Sequence, residues 1–228
     1  MKITYINHSS FLVETGSVIM LFDYTDGEIP YLDKSKPLFV FASHAHSDHF
    51  SKKIFDLAKT HTNVKFILSS DIPKKAASGE NVQFLAPYAE YETDGLNIKT
   101  LKSTDEGVAF FIKTDGLKIY HAGDLNNWYW EGEPDEWNRQ MGEAYINEIS
   151  KIKGENPDVA FLLLDPRQGI HSSLCITQFM ETVGAKNIFP MHFWGDYSVC
   201  RKIKELPPVK PYAENIFEIS KKGQSFEI

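Results

Sequence analysis

Residues 37–53 read "PLFVFASHAHSDHFSKK", a nearly all-apolar run that ends in three histidines and an aspartate within six positions. The first half, Pro37 to Ser43, has the length and apolar density of a strand buried on both faces, as in a parallel sheet. The second half sets His44, His46, Asp48 and His49 at that strand's mouth. Imidazoles and a carboxylate crowded this closely repel or desolvate one another unless a cation sits between them. His44 and His46, two positions apart, can point the same way from an extended segment or tight loop. Asp48 and His49 then begin a turn into the next element. Such a loop offers ligands to two nearby points, and His/Asp clusters suit borderline metals such as zinc. The competing reading is a surface loop with fortuitous histidines. With eight histidines in 228 residues, three within six positions speak against it.

Upstream of this stretch, "KITYI", "SFLVETG" and "VIMLFDY" predict a strand meander with Gly16 at the first clear turn. Downstream, "SKKIFDLAKTH" has helical spacing at Ile54, Phe55, Leu57 and Ala58, "NVKFILSS" is strand-like, and "DIPKKAAS" predicts a short helix. From Val82 to Tyr120 the text is mostly strand-like, in "VQFLA", "LNIKTL", "GVAFFIKT" and "LKIYHAG", with Asp115-Gly116 as a hairpin turn. Residues 125–140, "LNNWYWEGEPDEWNRQ", read as a polar, tryptophan-rich loop. After it come helical "GEAYINEISKI", the buried strand "PDVAFLLLDPR", helical "SLCITQFMETVG" and the strand "NIFPMHFWG". The tail carries helical "SVCRKIKEL" and two terminal strands. Strands first, then alternating helix and strand, in both halves, predict two sheets with helices outside, in one domain of residues 1–228.

Composition narrows the function classes. A 42% hydrophobic content with 13% aromatics is ample for a large core. Lys+Arg 24 against Asp+Glu 31 leaves a formal charge of -7, which argues against tight nucleic-acid binding, where a basic face is the rule. No run approaches membrane-spanning length, and the first residues alternate like a strand rather than a signal peptide. Cys175 and Cys200 are too few for a disulfide framework. Free thiols, a cytoplasmic location and no membrane partner are the expectations. Oligomeric state is not readable.

"HAHSDH" resembles the His-x-His-x-Asp-His signature of the metallo-β-lactamase superfamily, and the likeness continues along nearly the whole chain. Asp23, closing "VIMLFD", matches the early aspartate that buttresses the metal loop; Asp124 in "IYHAGD" matches the aspartate that bridges two metals; His192 in "IFPMH" matches the last histidine ligand. Together with "NHSSF" near the start, these motifs are similar to the compact metal-dependent hydrolases related to ascorbate-6-phosphate lactonase. The resemblance implies an α/β fold, an αββα sandwich of two mixed sheets flanked by helices, with the site at one edge of both. It implies one or two divalent ions held by His44, His46, Asp48, His49, Asp124 and His192, zinc first, with manganese, iron or nickel as alternatives. It also implies hydrolysis by metal-activated water, with Asp48 both ligand and orienter of that water. One position departs from the family's pattern. A further histidine is expected before the bridging aspartate, and "LKSTDEGVAFF" has none; Ser103, Thr104 or Asp105 stands there, with Asp105 the candidate replacement ligand.

The surroundings of these motifs hold weaker candidates. All four tryptophans lie close in sequence to proposed ligands, with Trp128 and Trp194 placed to line a substrate pocket; the same residues would serve equally as anchors of a packed loop. Arg167 in "LLLDPRQGIH" suits a phosphate or carboxylate, against a structural Asp165–Arg167 turn. His171 could line the pocket. His8 is a partner that orients a ligand, as is Asp23, while His121 reads as a core histidine and His61 as a loop residue without function. Two function classes follow: a metal-dependent hydrolase acting on a small ester, lactone or phosphate-bearing metabolite, and a metal-binding sensor of the same fold with weak or no turnover.

Overall fold

In the computed structural model, which describes residues 1–77 and 79–228, the meander forms Lys2–Asn7 (β1), Ser10–Glu14 (β2) and Ile19–Phe22 (β3), paired antiparallel in that order. The chain then crosses over so that the apolar run Leu38–Ala42 (β4) pairs parallel with β3, Ile19 opposite Leu38 and Phe22 opposite Phe41. A strand with parallel neighbours on both sides presents no wet face, and all five of its residues are buried. Val64–Ser69 (β5) and Val82–Leu85 (β6) extend the sheet in parallel, and Ser225–Glu227 (β13) closes the other edge.

The second half repeats this plan. Glu90–Thr93 (β7), Leu96–Lys102 (β8), Val108–Thr114 (β9) and Leu117–His121 (β10) form an antiparallel meander. Val159–Leu163 (β11) and Ile188–Met191 (β12) then add in parallel. Among the described residues the sheets have seven and six strands, both mixed. Their inner faces meet through an aromatic core in which Phe22 stacks on Phe41, Phe41 meets Phe110 edge-on and Phe161 lies between Phe11 and Phe189. Each of these fully buried side chains contributes roughly 1.5–3 kcal/mol of apolar burial. Outside the second sheet lie helices Asp135–Ile149 (α1) and Leu174–Thr182 (α2), which press Tyr145, Ile149, Ile176 and Phe179 inward. The short helix Ser198–Lys202 (α3) follows β12 and buries Cys200. The expected αββα sandwich is therefore the fold.

Several local expectations change. "SKKIFDLAKTH" forms a 3-10 helix, Lys52–Lys59, which buries Ile54 against the outer face of the first sheet. The helix predicted at 71–78 is one 3-10 turn, Lys74–Ala76, and Ser78 lies outside the described residues. The polar loop is shorter than predicted, because α1 begins at Asp135. Pro134 precedes it, and Asp135 and Glu136 in its first turn face the positive end of the helix dipole. That first turn is polar and mostly exposed, so hydrophobic periodicity could not announce it. Of the two terminal strands only β13 forms; Ile216 makes a single bridge to Ile188. Glu90–Thr93 pairs as β7, although charged residues alternate along it, because it is a sheet edge.

The topology fixes where chemistry can gather. β3, β4, β10, β11 and β12 all end at the same edge of the sandwich, and the β1–β2 turn lies there too, since Phe11 pairs with Phe22. Asp23, the histidine loop, Asp124, Asp165 and His192 each follow the carboxyl end of one of these strands.

Candidate metal centre

Two glycines let the histidine loop lie close to the second sheet. A Cβ on Gly107 would fall 2.0 Å from the carbonyl oxygen of Ser43, and one on Gly123 would fall 2.7 Å from the Ser43 Cβ. Both glycines have positive φ, and neither position can take a side chain without moving the loop. Asp23, itself at φ +42, turns its carboxylate under the loop: Oδ1 accepts from the Ser43 N–H at 2.8 Å, and Oδ2 accepts from the Ser43 hydroxyl at 2.7 Å and from His49 Nδ1 at 2.7 Å. On the far side Asp71 Oδ2 accepts the Ala45 N–H at 2.8 Å. The loop is held from both ends.

The side chains it carries meet those from the second sheet. His49 Nε2 lies 3.2 Å and His192 Nε2 3.6 Å from Asp124 Oδ1. Asp48 Oδ2 lies 3.9 Å from His49 Nε2 and 3.8 Å from His192 Nε2. His44 Nε2 faces His46 Nδ1 at 3.0 Å and Asp124 Oδ2 at 3.5 Å. Two groups able to hold a metal result: His44, His46 and Asp124; and His8, Asp48, His49 and His192. Asp124 reaches both, one oxygen to each. The six residues singled out by sequence are thus brought together, and His8 joins them.

Whether a cation fits is tested by the hydrogen-bond inventory. His8 Nε2, His49 Nε2, His192 Nε2 and Asp124 Oδ1 are all buried and lack a hydrogen-bond partner. Orphaned buried polar atoms cost about 1–3 kcal/mol each; here the three nitrogens belong to one group able to hold a metal, and two of them face Asp124 Oδ1. A divalent ion is the partner that such imidazole and carboxylate atoms lack, so the donor set fits.

The electrostatics reflect the same crowding. Burial disfavours the charged form of His49, yet Asp124, Asp23 and Asp48 together outweigh it and raise its pKa to about 9. Burial, helped by the His49 charge, lowers His44 to about 4. Asp23 would be pushed up by its complete burial, but His121, His49 and His44 bring it to about 2. The His8 imidazole beside Asp48 holds that carboxyl well below the usual range.

Asp165 is the partner that sequence reasoning missed. Its Oδ2 accepts from His192 Nδ1 at 3.0 Å and from the Trp194 indole N–H at 3.3 Å, while Arg167 grips it through Nε at 3.0 Å. It thereby does for His192 what Asp23 does for His49. The signal was present: "LLLD" ends a buried strand just as "MLFD" does.

His46, Asp48, Asp124 and His192, from the two groups able to hold a metal, floor a cleft of about 370 Å³, walled by Trp128, Trp130, Trp137 and Trp194, with Asp105 and Arg167 at its rim. Trp128 is nearly buried, and its indole N–H donates to the Asp124 carbonyl at 3.0 Å, so it serves as anchor and wall together. Trp194 is half-exposed and lies under the Arg167 guanidinium at 4.6 Å. Where the family's extra histidine is expected, the Ser103 hydroxyl accepts the Asp105 N–H and the Thr104 hydroxyl bonds the Asn126 backbone. Only the Asp105 carboxylate is left free there. It stands 4.0 Å from His46 Nδ1 and is not one of the atoms that converge with His44, His46 and Asp124. His171 does not line the cleft; beyond a backbone kink at Gly169 its ring lies flat on Tyr129, centroids 3.8 Å apart. His121 is a buried core histidine, bonded to the Ser9 carbonyl and stacked on Phe22. His61 bonds the Lys36 carbonyl, away from the cleft.

Comparison with known proteins agrees with this picture. A family model described as a β-lactamase superfamily domain matches residues 2–136. A UPF0173 metal-dependent hydrolase from Korarchaeum cryptofilum is 24% identical over 201 residues, covering 84% of this chain and 82% of the relative. Another from Opitutus terrae is 32% identical over 144 residues, covering 54% of this chain and 63% of the relative. Among solved structures, Igni18, a metallo hydrolase from Ignicoccus hospitalis, superposes with a TM-score of 0.64 at 20% identity, covering 100% of this chain and 98% of that one; at that identity the likeness is one of fold.

Proposed function

This chain belongs to the β-lactamase superfamily and is a metal-dependent hydrolase, and from that premise we propose that it hydrolyses a small ester, lactone or phosphate-bearing metabolite in the tryptophan-walled cleft. The observation that carries the reading is the convergence of His49 Nε2, His192 Nε2 and Asp124 Oδ1, buried and without hydrogen-bond partners, on the cleft floor. His44, His46 and Asp124 would hold one ion, and Asp48, His49 and His192, with Asp124, would hold another. When bound, a divalent ion supplies a Lewis acid that lowers the pKa of water to about 7 and polarises the oxygen of the bond to be cleaved. Zinc suits the mixed imidazole and carboxylate set best.

The chain's own groups then divide the remaining work. Asp48 is partly open to the cleft, and its carboxylate, kept ionised by His8 and His49, orients the attacking water through a hydrogen bond. Asp23 and Asp165 fix the rings of His49 and His192 so that each Nε2 faces inward. The indoles exclude bulk water and offer flat apolar surface to the substrate. Arg167 is half-exposed at the rim, with Asp165 occupying only one side of its fork, and it binds an anionic substituent of the substrate. A compact substrate with one anionic group and an apolar or sugar-like face follows. Residues 1–228 act as one unit in this reading, because ligands from both sheets floor a single cleft.

The test is a metal assay followed by a screen of activated esters, lactones and phosphodiesters, with and without an anionic substituent. Hydrolysis should vanish on chelation, return with the metal, and fall by at least about 100-fold in Asp124→Ala. Turnover that survives both treatments would overturn the mechanism.

A further inference from the structure

We infer that His8 is itself a metal ligand, so that the first divalent ion is taken up at His8, Asp48, His49 and His192, and the His44/His46 side is the weaker. This rests on the metal-dependent hydrolase reading and adds to it a residue outside the histidine signature.

His8 occupies the β1–β2 turn in a left-handed conformation, φ +48, which a non-glycine residue holds only where its surroundings demand it. Its ring is clamped between those of His192, centroids 4.2 Å apart, and Trp194, 4.6 Å apart. The His8 carbonyl accepts the His192 N–H at 3.3 Å, which ties the turn to the loop after β12.

The ligand atoms of His8, Asp48, His49 and His192 all lie within 4.8 Å of one another. His8 Nε2 is the one nearest to Asp48 Oδ2, at 3.4 Å, against 3.8 and 3.9 Å for His192 and His49. Zinc bonds of about 2.0–2.1 Å put the corners of a tetrahedral site roughly 3.3–3.5 Å apart. Relative to Asp48 Oδ2, His8 already stands at that spacing, and His192 and His49 are within some tenths of an ångström of it. A histidine whose role was to orient Asp48 would have its Nε2–H engaged by that carboxylate. Here the two atoms stand 3.4 Å apart without the alignment of a full hydrogen bond, and His8 Nε2 is buried in the same condition as His49 Nε2 and His192 Nε2.

The distribution of nitrogen points the same way. The His44/His46 side lacks the imidazole that the family places there, and Asp105 does not converge with it. The other side gains one. Three imidazoles and a carboxylate make a tighter site for a borderline metal than two imidazoles and a shared carboxylate.

Counting imidazoles decides the matter without any variant. Without His8, each of the two groups offers two imidazoles, His44 with His46 and His49 with His192. X-ray absorption on the wild-type protein loaded with one equivalent of zinc should therefore show three. Two would remove His8 from the ligand set while leaving the hydrolase reading intact; no uptake of zinc, cobalt, manganese, iron or nickel would end both. As a second measurement, His8→Gln should weaken the first zinc by at least about 100-fold and alter the visible spectrum of the cobalt-substituted protein, whereas His46→Ala should leave the first zinc within about threefold. A His8→Gln protein with the wild-type cobalt spectrum, or a His46→Ala protein that loses the first ion, would overturn the assignment.

Discussion

Asp165 Oδ2 accepts hydrogen bonds from His192, Trp194 and Arg167 at once, so a single carboxylate sets a ligand's tautomer, a wall of the cleft and the cation at its rim. Burial alone would raise its pKa; His192 and Arg167 more than offset this and hold it well below the usual carboxylate range. Asn has the same shape but carries no charge, and its amide donates where one oxygen accepted. Asp165→Asn is therefore expected to lower metal affinity by about 10–100-fold with the fold retained. Titration against a competing chelator measures this, and wild-type affinity would count against the orienting role. Asp48, Asp124 and the clustered histidines were nominated one by one from the sequence and its resemblance to the superfamily. The duty of Asp165 was not, because it depends on which ring nitrogen of a residue 27 positions away lies against it.

At the scale of elements, the two meanders are latched at the end of the sandwich away from the cleft. Asp115, at the β9–β10 turn, accepts hydrogen bonds from the Thr15 hydroxyl at 2.6 Å, the Ser17 N–H at 3.0 Å and the Ser17 hydroxyl at 2.6 Å, in the β2–β3 turn. The Asp115-Gly116 hairpin was legible from the dipeptide, and both residues have the positive φ that a tight hairpin turn needs. Its bonding to the other sheet was not legible. The Ser17 and Thr15 bonds lower the pKa of Asp115, so its contribution is fully present above the unfolded carboxyl pKa of about 3.9 and is lost as pH falls through the lower folded value. Because the group is exposed, Asp115→Ala should cost only about 1 kcal/mol, or roughly 2–4 °C in Tm. That difference should be constant between about pH 5 and 8 and shrink below about pH 4. Thermal melts of both proteins across pH check it, and a difference that grows in acid would contradict the latch.

For the molecule as a whole, the candidate metal centre draws its residues from both sheets. His44, His46, Asp48 and His49 come from the first, Asp124 and His192 from the second. Removing the ion leaves the convergent buried nitrogens and the Asp124 oxygen uncompensated across that junction. A ligand present at about 1,000 times its Kd stabilises by about 4 kcal/mol, which in a chain of this size corresponds to roughly 8–16 °C in Tm. Chelation should lower Tm by that amount and readdition should restore it, as read by calorimetry. An unchanged Tm after verified metal removal would mean that the centre does not hold the sheets together. No helix among the described residues is long and apolar enough to cross a membrane.

The sequence by itself determined the elements and the chemistry each could carry. Density of apolar residues marked β4 and β11 as buried strands, the Asp-Gly pair marked a hairpin, and the spacing of His44, His46, Asp48 and His49 marked a ligand loop. These are local properties, set by neighbours a few positions apart. Only the tertiary structure decided what meets at the shared edge: that His8 lies beside Asp48, His49 and His192, that Asp165 bonds His192, that four tryptophans wall one cleft, and that His171 stacks on Tyr129 instead of lining it. Such contacts join residues that parallel pairing and the packing of two sheets bring together from opposite ends of the chain, and no local pattern encodes their geometry.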